Sequence, residues 1–327
     1  MNVGGDPGPM NLDALEDDLN KSAATLSVHN PEGQKKKKRG HTHKHLTVQE
    51  EQQYMVYSMI TDLFEFDELK TRTGFAIKRY KESLYRGELH GGVRHGQGIC
   101  VYEIGRVYEG DWADDKRHGK GYERFSNGNQ YLGEYLEGRV SGKGLYTWVN
   151  GDTYDGEWVN GIKHGYGVWK GITGDSYIGQ WVQNKAHGYG QHEWGNGDRY
   201  EGEWKFCLRH GQGSDTFANG DIYLGEYNYG KANGYGQYRW ANGNTYSGIF
   251  VEGMKEGKGV WKKSGSDEVT NTYEGEYHQD MKHGQGEFRW ASGGYYKGHY
   301  ELDVKKGYGE MYWADGSIYR GQWDAGI

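Results

Sequence analysis

The 327-residue chain has two cysteines and three prolines, and only 34% of it is hydrophobic. Cys100 and Cys207 fall at different places in the repeats described below, so they make neither a metal-ligand spacing nor a disulfide framework and are read as reduced thiols. No run approaches the roughly 20 apolar residues that a membrane-spanning helix requires. The opening MNVGGDPGPM lacks the apolar stretch of a signal peptide, which sets the expectation of a soluble intracellular protein. Positive charge is also in deficit, with 39 Lys and Arg against 46 Asp and Glu and a net charge of -7. That balance argues against a general nucleic-acid binder, whose domain carries a basic face; KKKKR at 35–39 is a local exception. A mean hydropathy of -1.01 leaves too few aliphatic side chains for an ordinary core, so the 15% of aromatic residues must do the burying.

What the chain has in quantity is glycine, 57 residues of it, and a recurring phrase typified by YDGEWVNGIKHGYG at 154–167. Its leading tyrosines are Tyr85, Tyr108, Tyr131, Tyr154, Tyr177, Tyr200, Tyr223, Tyr246, Tyr273, Tyr296 and Tyr319. The interval is 23 residues throughout except from Tyr246 to Tyr273, where four extra residues fall near KSGSDEVTN at 263–271. A fixed interval marks an array of structural units rather than binding motifs on variable linkers.

In YDGEWVN the first, third and fifth residues share one face of a strand, a bend follows, HGYGVWKG forms a second strand, and GDS makes a second turn. Single hairpins are marginal in water, but hairpins laid edge to edge support one another through a shared aromatic face. At the fifth position that face reads Leu89, Trp112, Tyr135, Trp158, Trp181, Trp204, Tyr227, Phe250, Tyr277, Tyr300 and Trp323. The eighteenth supplies a second aromatic row, Tyr102, Phe125, Trp148, Trp194, Phe217, Trp240, Trp290 and Trp313, with Trp169 and Trp261 two residues early on the same face. A glycine between aromatics leaves a slot in which a ring can lie against backbone, and glycine at a tight turn supplies positive φ.

These residues, as in YEGDWADDKRHGKG (108–121), YEGEWKFCLRHGQG (200–213) and YEGEYHQDMKHGQG (273–286), resemble the MORN repeat, and the resemblance runs from Tyr85 to Ile327. It implies an all-β fold, an elongated twisted antiparallel sheet of consecutive hairpins. The organisation expected is a disordered tail with a basic run at 1–45, a capping helix and lead-in at 46–84, and ten full repeats plus a partial eleventh at 85–327. Arrays of this family occur in ciliary radial spoke heads, cytoskeletal scaffolds and membrane tethers, and beside kinase or methyltransferase domains.

Candidate chemistry dissolves on alignment of the copies. The histidine of HGxG is replaced by Ser141, Asn233, Glu256 and Lys306, so it is read as a turn-closing hydrogen-bonding residue rather than a catalytic one. Pairs such as Glu201 and Glu203 recur along the array and read as a solvated stripe, and SGKG and EGKG lack the spacing of a phosphate-binding loop. No catalytic, cofactor or metal site is expected. Before the array, Thr47 and Glu50 have the form of a capping box, and Val56, Met59, Ile60 and Leu63 follow at helical spacing, which predicts a helix over about 48–68 covering the first edge of the sheet or anchoring a partner or membrane. Lys35, Lys36, Lys37, Lys38 and Arg39 read as a solvated linker or a contact for an acidic partner: tubulin tails, phosphoinositides or the import machinery.

Two functions remain. One is a non-catalytic scaffold for protein assembly in a cytoskeletal complex, foremost the axoneme of a cilium or flagellum, with Trp112, Tyr135, Trp158, Trp181, Trp204, Tyr227, Tyr277 and Tyr300 as its structural face and Tyr319 and Trp323 as docking residues at an edge that could also pair two copies. The alternative is a peripheral membrane or phosphoinositide-binding module, against which the acidic first-strand stripe would be repelled by an anionic leaflet.

Overall fold

Alternation of ring and glycine on one side of a short segment, closed every few residues by a turn, is satisfied by antiparallel strands. In the computed structural model, which describes residues 70–265 and 270–326, the chain forms 22 strands in consecutive antiparallel hairpins, with no helical element among the described residues. They fall into two compact units. The first, 70–172 with 181–185, contains β1 (Phe75–Arg79), β2 (Ser83–His90), β3 (Val93–Tyr102), β4 (Val107–Ala113), β5 (Lys116–Arg124), β6 (Gln130–Leu136), β7 (Arg139–Thr147), β8 (Thr153–Val159) and β9 (Ile162–Lys170). The second, 173–180 with 186–326, continues the same hairpins to a last strand at Ile318–Trp323.

The hairpin of β8 and β9 shows how one repeat is held. Tyr154 pairs with Trp169 and Gly156 with Gly167; the register then shifts, and Glu157 pairs with His164 and Trp158 with Lys163. The residues left over bulge outward on β9, where Gly165 has φ +63°, a conformation costly to any residue with a side chain. The Tyr154 ring lies across Gly156 and Gly167 so closely that a Cβ on either would overlap it. Its hydroxyl donates to the carbonyl of Glu157 at 3.2 Å, and all eleven leading tyrosines make this bond at 2.8–3.3 Å.

The fifth residue links one repeat to the one before. Trp158 stands edge-on to Tyr154 at 5.0 Å and to Tyr131 at 5.8 Å, and its Nε1 donates to the Gly144 carbonyl at 3.0 Å. Trp112, Trp181, Trp204 and Trp323 make the same bond to a glycine fourteen residues earlier. Turns latch as well: Asn160 and Gly161, at φ +52° and +84°, form the mirror-image turn that suits strand twist, and the Gly161 amide reaches back to the Val140 carbonyl. At the opposite turns, Asn129, Asp152, Asp198 and Asp221 each accept the backbone N–H found twenty residues on.

Three expectations change. The first edge of the array was assigned to the 48–68 helix, which lies outside the described residues; the backbone of β2 is paired instead by β1, Phe75 opposite Glu88 through Arg79 opposite Leu84. A strand satisfies an open ladder bond by bond, which a helix cannot do. The bulge is closed not by histidine but by the fourth-position side chain: Glu88, Asp111, Gln180, Glu203 and Glu226 each accept a bulge amide at 2.9–3.2 Å. Glu203 is therefore a structural acceptor, although exposed, and not part of a merely solvated stripe, whereas the half-buried Glu201 pairs with Arg199 and accepts the Tyr189 hydroxyl.

These roles separate two substitutions in adjacent strands. Trp158→Ala is expected to cost about 3–5 kcal/mol as a large-to-small change in a packed interior. His164→Ser, at an exposed position, is expected to stay within about 0.5 kcal/mol. Urea unfolding of both variants measures the difference; equal losses would refute the assignment of face and bulge.

Candidate functional site

The aromatic row expected as the structural face is interior. Trp112, Tyr135, Trp158, Trp181, Trp204, Tyr227, Tyr277 and Tyr300 are all buried. Tyr85 and Tyr108 meet Trp112 at 5.5 and 5.0 Å, and Tyr273 and Tyr296 flank Tyr300 at 5.4 and 5.2 Å, so leading and fifth-position rings form continuous edge-to-face ladders within each unit. What this face shows to solvent is the second aromatic row. Trp148 in the first unit and Trp194, Phe217, Trp240 and Trp290 in the second are half-buried, and Trp313 is exposed.

Beneath that row, the tenth and sixteenth residues of each repeat share one volume, and their chemistry is matched. Where the tenth is small, the sixteenth is a ring with a polar tip: Val140 with Tyr146, Ala186 with His192, Ala232 with Tyr238. Tyr146 and Tyr238 then bond Asn129 at 2.9 Å and Asp221 at 2.6 Å. Where the tenth is lysine, the sixteenth is a large apolar residue. Lys163 is fully buried, its Nζ 4.3 Å from the Trp181 ring and 5.3 Å from Tyr154, and Lys305 lies 4.8 Å from both Tyr296 and Trp323. Such contacts contribute about 0.5–2 kcal/mol each, more as the cation is desolvated.

Arginine at the tenth position is met by a carboxylate. Arg117 and Arg106 both bind Glu123, which also accepts the Tyr135 hydroxyl at 2.8 Å. Arg209 binds Asp215 at 2.7 Å, and Tyr227 donates to the same oxygen. Burial pushes both carboxyls up, but two guanidinium groups overcome it at Glu123 and hold it below the usual value, whereas the single Arg209 leaves Asp215 raised. In the first repeat the sixteenth residue is Cys100, and Arg94, Tyr102, Arg106 and Trp112, with Glu82 and Glu103, line a cavity of about 350 Å³. Arg94 is engaged there, its backbone and Nε groups donating to Asp115 at 2.8 and 3.0 Å and its guanidinium 4.2 Å from the Trp112 ring.

These buried ions were missed in the sequence because the tenth and sixteenth positions vary in type; only side by side do they reveal compensation of size and charge. Of the other anticipated residues, Tyr319 is exposed, and Trp323 is half-buried with its Nε1 on the Gly309 carbonyl at 3.2 Å. Lys35 to Arg39 lie outside the described residues. The HGxG histidines His187 and His210 lie against Phe206 and Tyr229 at 5.4 and 5.3 Å, a packing role rather than a turn-closing one.

A sheet of identical hairpins, each seating its own ring on a pair of glycines and borrowing a carbonyl from the repeat before, defines a repeat protein in which every unit contacts its neighbours alone. The family model of the MORN repeat matches ten successive stretches, 85–105, 108–130, 131–153, 154–176, 177–199, 200–222, 223–245, 246–266, 273–295 and 296–318, and the chain belongs to that family. No curated protein matches the chain. Among solved structures, the TCP10c domain of Drosophila melanogaster Sas-4 is similar at 12% identity and a TM-score of 0.27, over 57% of this chain and 98% of that one. The TCP10 domain of Danio rerio CPAP is similar at 8% identity and a TM-score of 0.23, over 76% and 100%. Superpositions this loose carry no functional inference.

His192 gives the site a pH signature. Burial pushes its pKa down to about 4, so the ring is neutral in the folded protein. A depressed histidine pKa means that stability is lost as pH falls through the unfolded value near 6.5 toward 4, by up to about 3 kcal/mol. His192→Tyr installs the residue found in the same slot of two other repeats. Its advantage over the unsubstituted chain in urea unfolding should grow as pH falls from 7 to 4; a constant difference would contradict the buried neutral ring.

Proposed function

We propose that this protein is a non-catalytic scaffold of a cytoskeletal assembly, foremost the ciliary or flagellar axoneme in the manner of radial spoke head components, and that the second aromatic row is its docking strip. The observation that carries this reading is the recurrence of a half-buried ring at the eighteenth position of three successive repeats, Trp194, Phe217 and Trp240, and again at Trp290 two repeats on, the intervening position being Lys263. Buried ions and rings lie directly beneath, engaged in holding the fold. Successive repeats advance two strands, about 9.6 Å at ordinary strand spacing. A partner helix lying across the strands advances about 10.5 Å every seven residues, so heptad-spaced apolar side chains can meet successive rings nearly in step. Tyr319, Trp323 and the basic run Lys35 to Arg39 are proposed as accessory contacts to protein partners.

The reading is tested by expressing the tagged full chain in ciliated cells. It should stay with axonemes after detergent extraction, and Trp240→Ala together with Trp290→Ala should lower that retention severalfold while the chain remains folded, each ring contributing about 1–2 kcal/mol of contact. Release of the unsubstituted protein with the detergent-soluble membranes would favour the membrane-module reading and overturn this one.

A further inference from the structure

The first repeat lacks one member of a constellation that two later repeats complete. In the second, Arg117 donates through Nη1 to Glu123, which also accepts Arg106 and the Tyr135 hydroxyl. In the sixth, Arg209 Nη1 and the Tyr227 hydroxyl meet on Asp215. A guanidinium and a phenol thus converge on a carboxylate at the sixteenth position wherever the tenth residue is arginine, except at Arg94. There the sixteenth residue is Cys100, and Arg94 Nη1 donates to its sulfur at 3.8 Å, a weak acceptor. The other side-chain donors of Arg94 are taken by Asp115, Nε by the carboxylate at 3.0 Å and Nη2 by the carbonyl at 2.9 Å. A phenol is present as well. Tyr102, at the end of β3, has its ring 5.2 Å from the Arg106 guanidinium. Burial pushes the pKa of its hydroxyl up, while the nearby charges of Arg117, Arg106 and Arg94 pull it down; the hydroxyl keeps its proton and can donate. Arg94, Arg106, Arg117 and Tyr102 all line the cavity of about 350 Å³. Donors for a carboxylate are therefore gathered at a cavity whose repeat supplies none at its sixteenth position.

We propose that this cavity binds a monocarboxylate with an apolar body, whose carboxylate plays toward Arg94 and the Tyr102 hydroxyl the part that Glu123 and Asp215 play in their own repeats. Arg106 and Arg117 add positive potential, and Trp112 and Ile104 supply apolar surface for the rest of the ligand. Glu82 and Glu103 line the same cavity and repel a second negative charge, which selects against a phosphate dianion. The volume lies at the lower end of the range for small-ligand sites, about 300–1,000 Å³, and suits an aromatic ring on a short acidic arm. Two sources carry that chemistry, a free aryl acid and a peptide whose C-terminal residue is aromatic.

Isothermal titration of the full chain tests the assignment with five probes: phenylacetate, phenylacetamide, N-acetyl-Gly-Gly-Phe as the free acid, the same peptide as the amide, and inorganic phosphate. At least one acid is expected to bind, about tenfold or more tightly than its own amide, because the amide forfeits hydrogen bonds made to a charged group. Phosphate should bind more weakly than that acid. The tighter of the two acids identifies the source, phenylacetate a small molecule and the peptide a protein terminus. Cys100→Glu gives the first repeat a carboxylate of its own and should abolish binding in a folded chain. Tyr102→Phe removes one donor and should weaken binding by about tenfold. Binding of neither acid, an amide or phosphate binding as tightly as the acids, or acid affinity unchanged in either folded variant would overturn the proposal. Should Cys100→Glu fail to fold, Tyr102→Phe alone decides.

Discussion

The fold depends on a phenolic ring lying across two glycines. Tyr154 occupies the space where side chains at Gly156 and Gly167 would be, and its hydroxyl reaches past them to the carbonyl at which the register shifts. The ring, the glycine pair and the bulge are thus one device, because the bulge turns that carbonyl toward the hydroxyl and the missing Cβ atoms let the ring come down to it. The usual weakness of glycine in a strand is offset by burial of an aromatic ring of large area. Repeating the device at every leading tyrosine builds an interior from a chain with few aliphatic residues.

Once rings and glycines are fixed, the remaining interior volume of each repeat is filled by two side chains that vary together. Arginine with a carboxylate, lysine with a tryptophan, a phenylalanine or a methionine, and a small residue with tyrosine or histidine are three chemically different fillings of one shape. Full burial of a lysine is tolerated because aromatic faces surround the ammonium, and burial of Glu123 because two guanidinium groups converge on it. Variation inside a constant frame gives the repeats different local stability and different response to pH while the backbone register of each hairpin stays the same.

Much of this was legible in the sequence because the period was. The 23-residue interval placed the strands, the alternation of Tyr154, Gly156 and Trp158 chose their face, and Asn160–Gly161 announced the tight turn. What stayed hidden were effects of a register shift that no periodicity records. The two-residue excess between Gly156–Gly167 and Glu157–His164 is what makes the fourth-position carboxylate an acceptor for a bulge amide rather than a solvated charge. Histidine drew attention through its chemistry, yet Glu88, Asp111 and Glu203 close the bulge. β1 escaped because FAIKR precedes the first tyrosine and carries none of the repeat's residues, although it completes the ladder that the array leaves open at β2. The second aromatic row was written in the sequence, but its partial exposure, against the burial of the first, is a property of packing alone.

The central claim is that the glycines are there for the ring, and a double-mutant cycle on Tyr154→Leu and Gly167→Ala in the full chain measures it. Gly167→Ala alone should be costly, because the new methyl group overlaps the tyrosine. With Tyr154 replaced by the smaller leucine most of that cost should vanish, giving a coupling of about 1–3 kcal/mol in urea unfolding. Strictly additive losses would show that the glycine answers only to its own backbone, and would contradict the account.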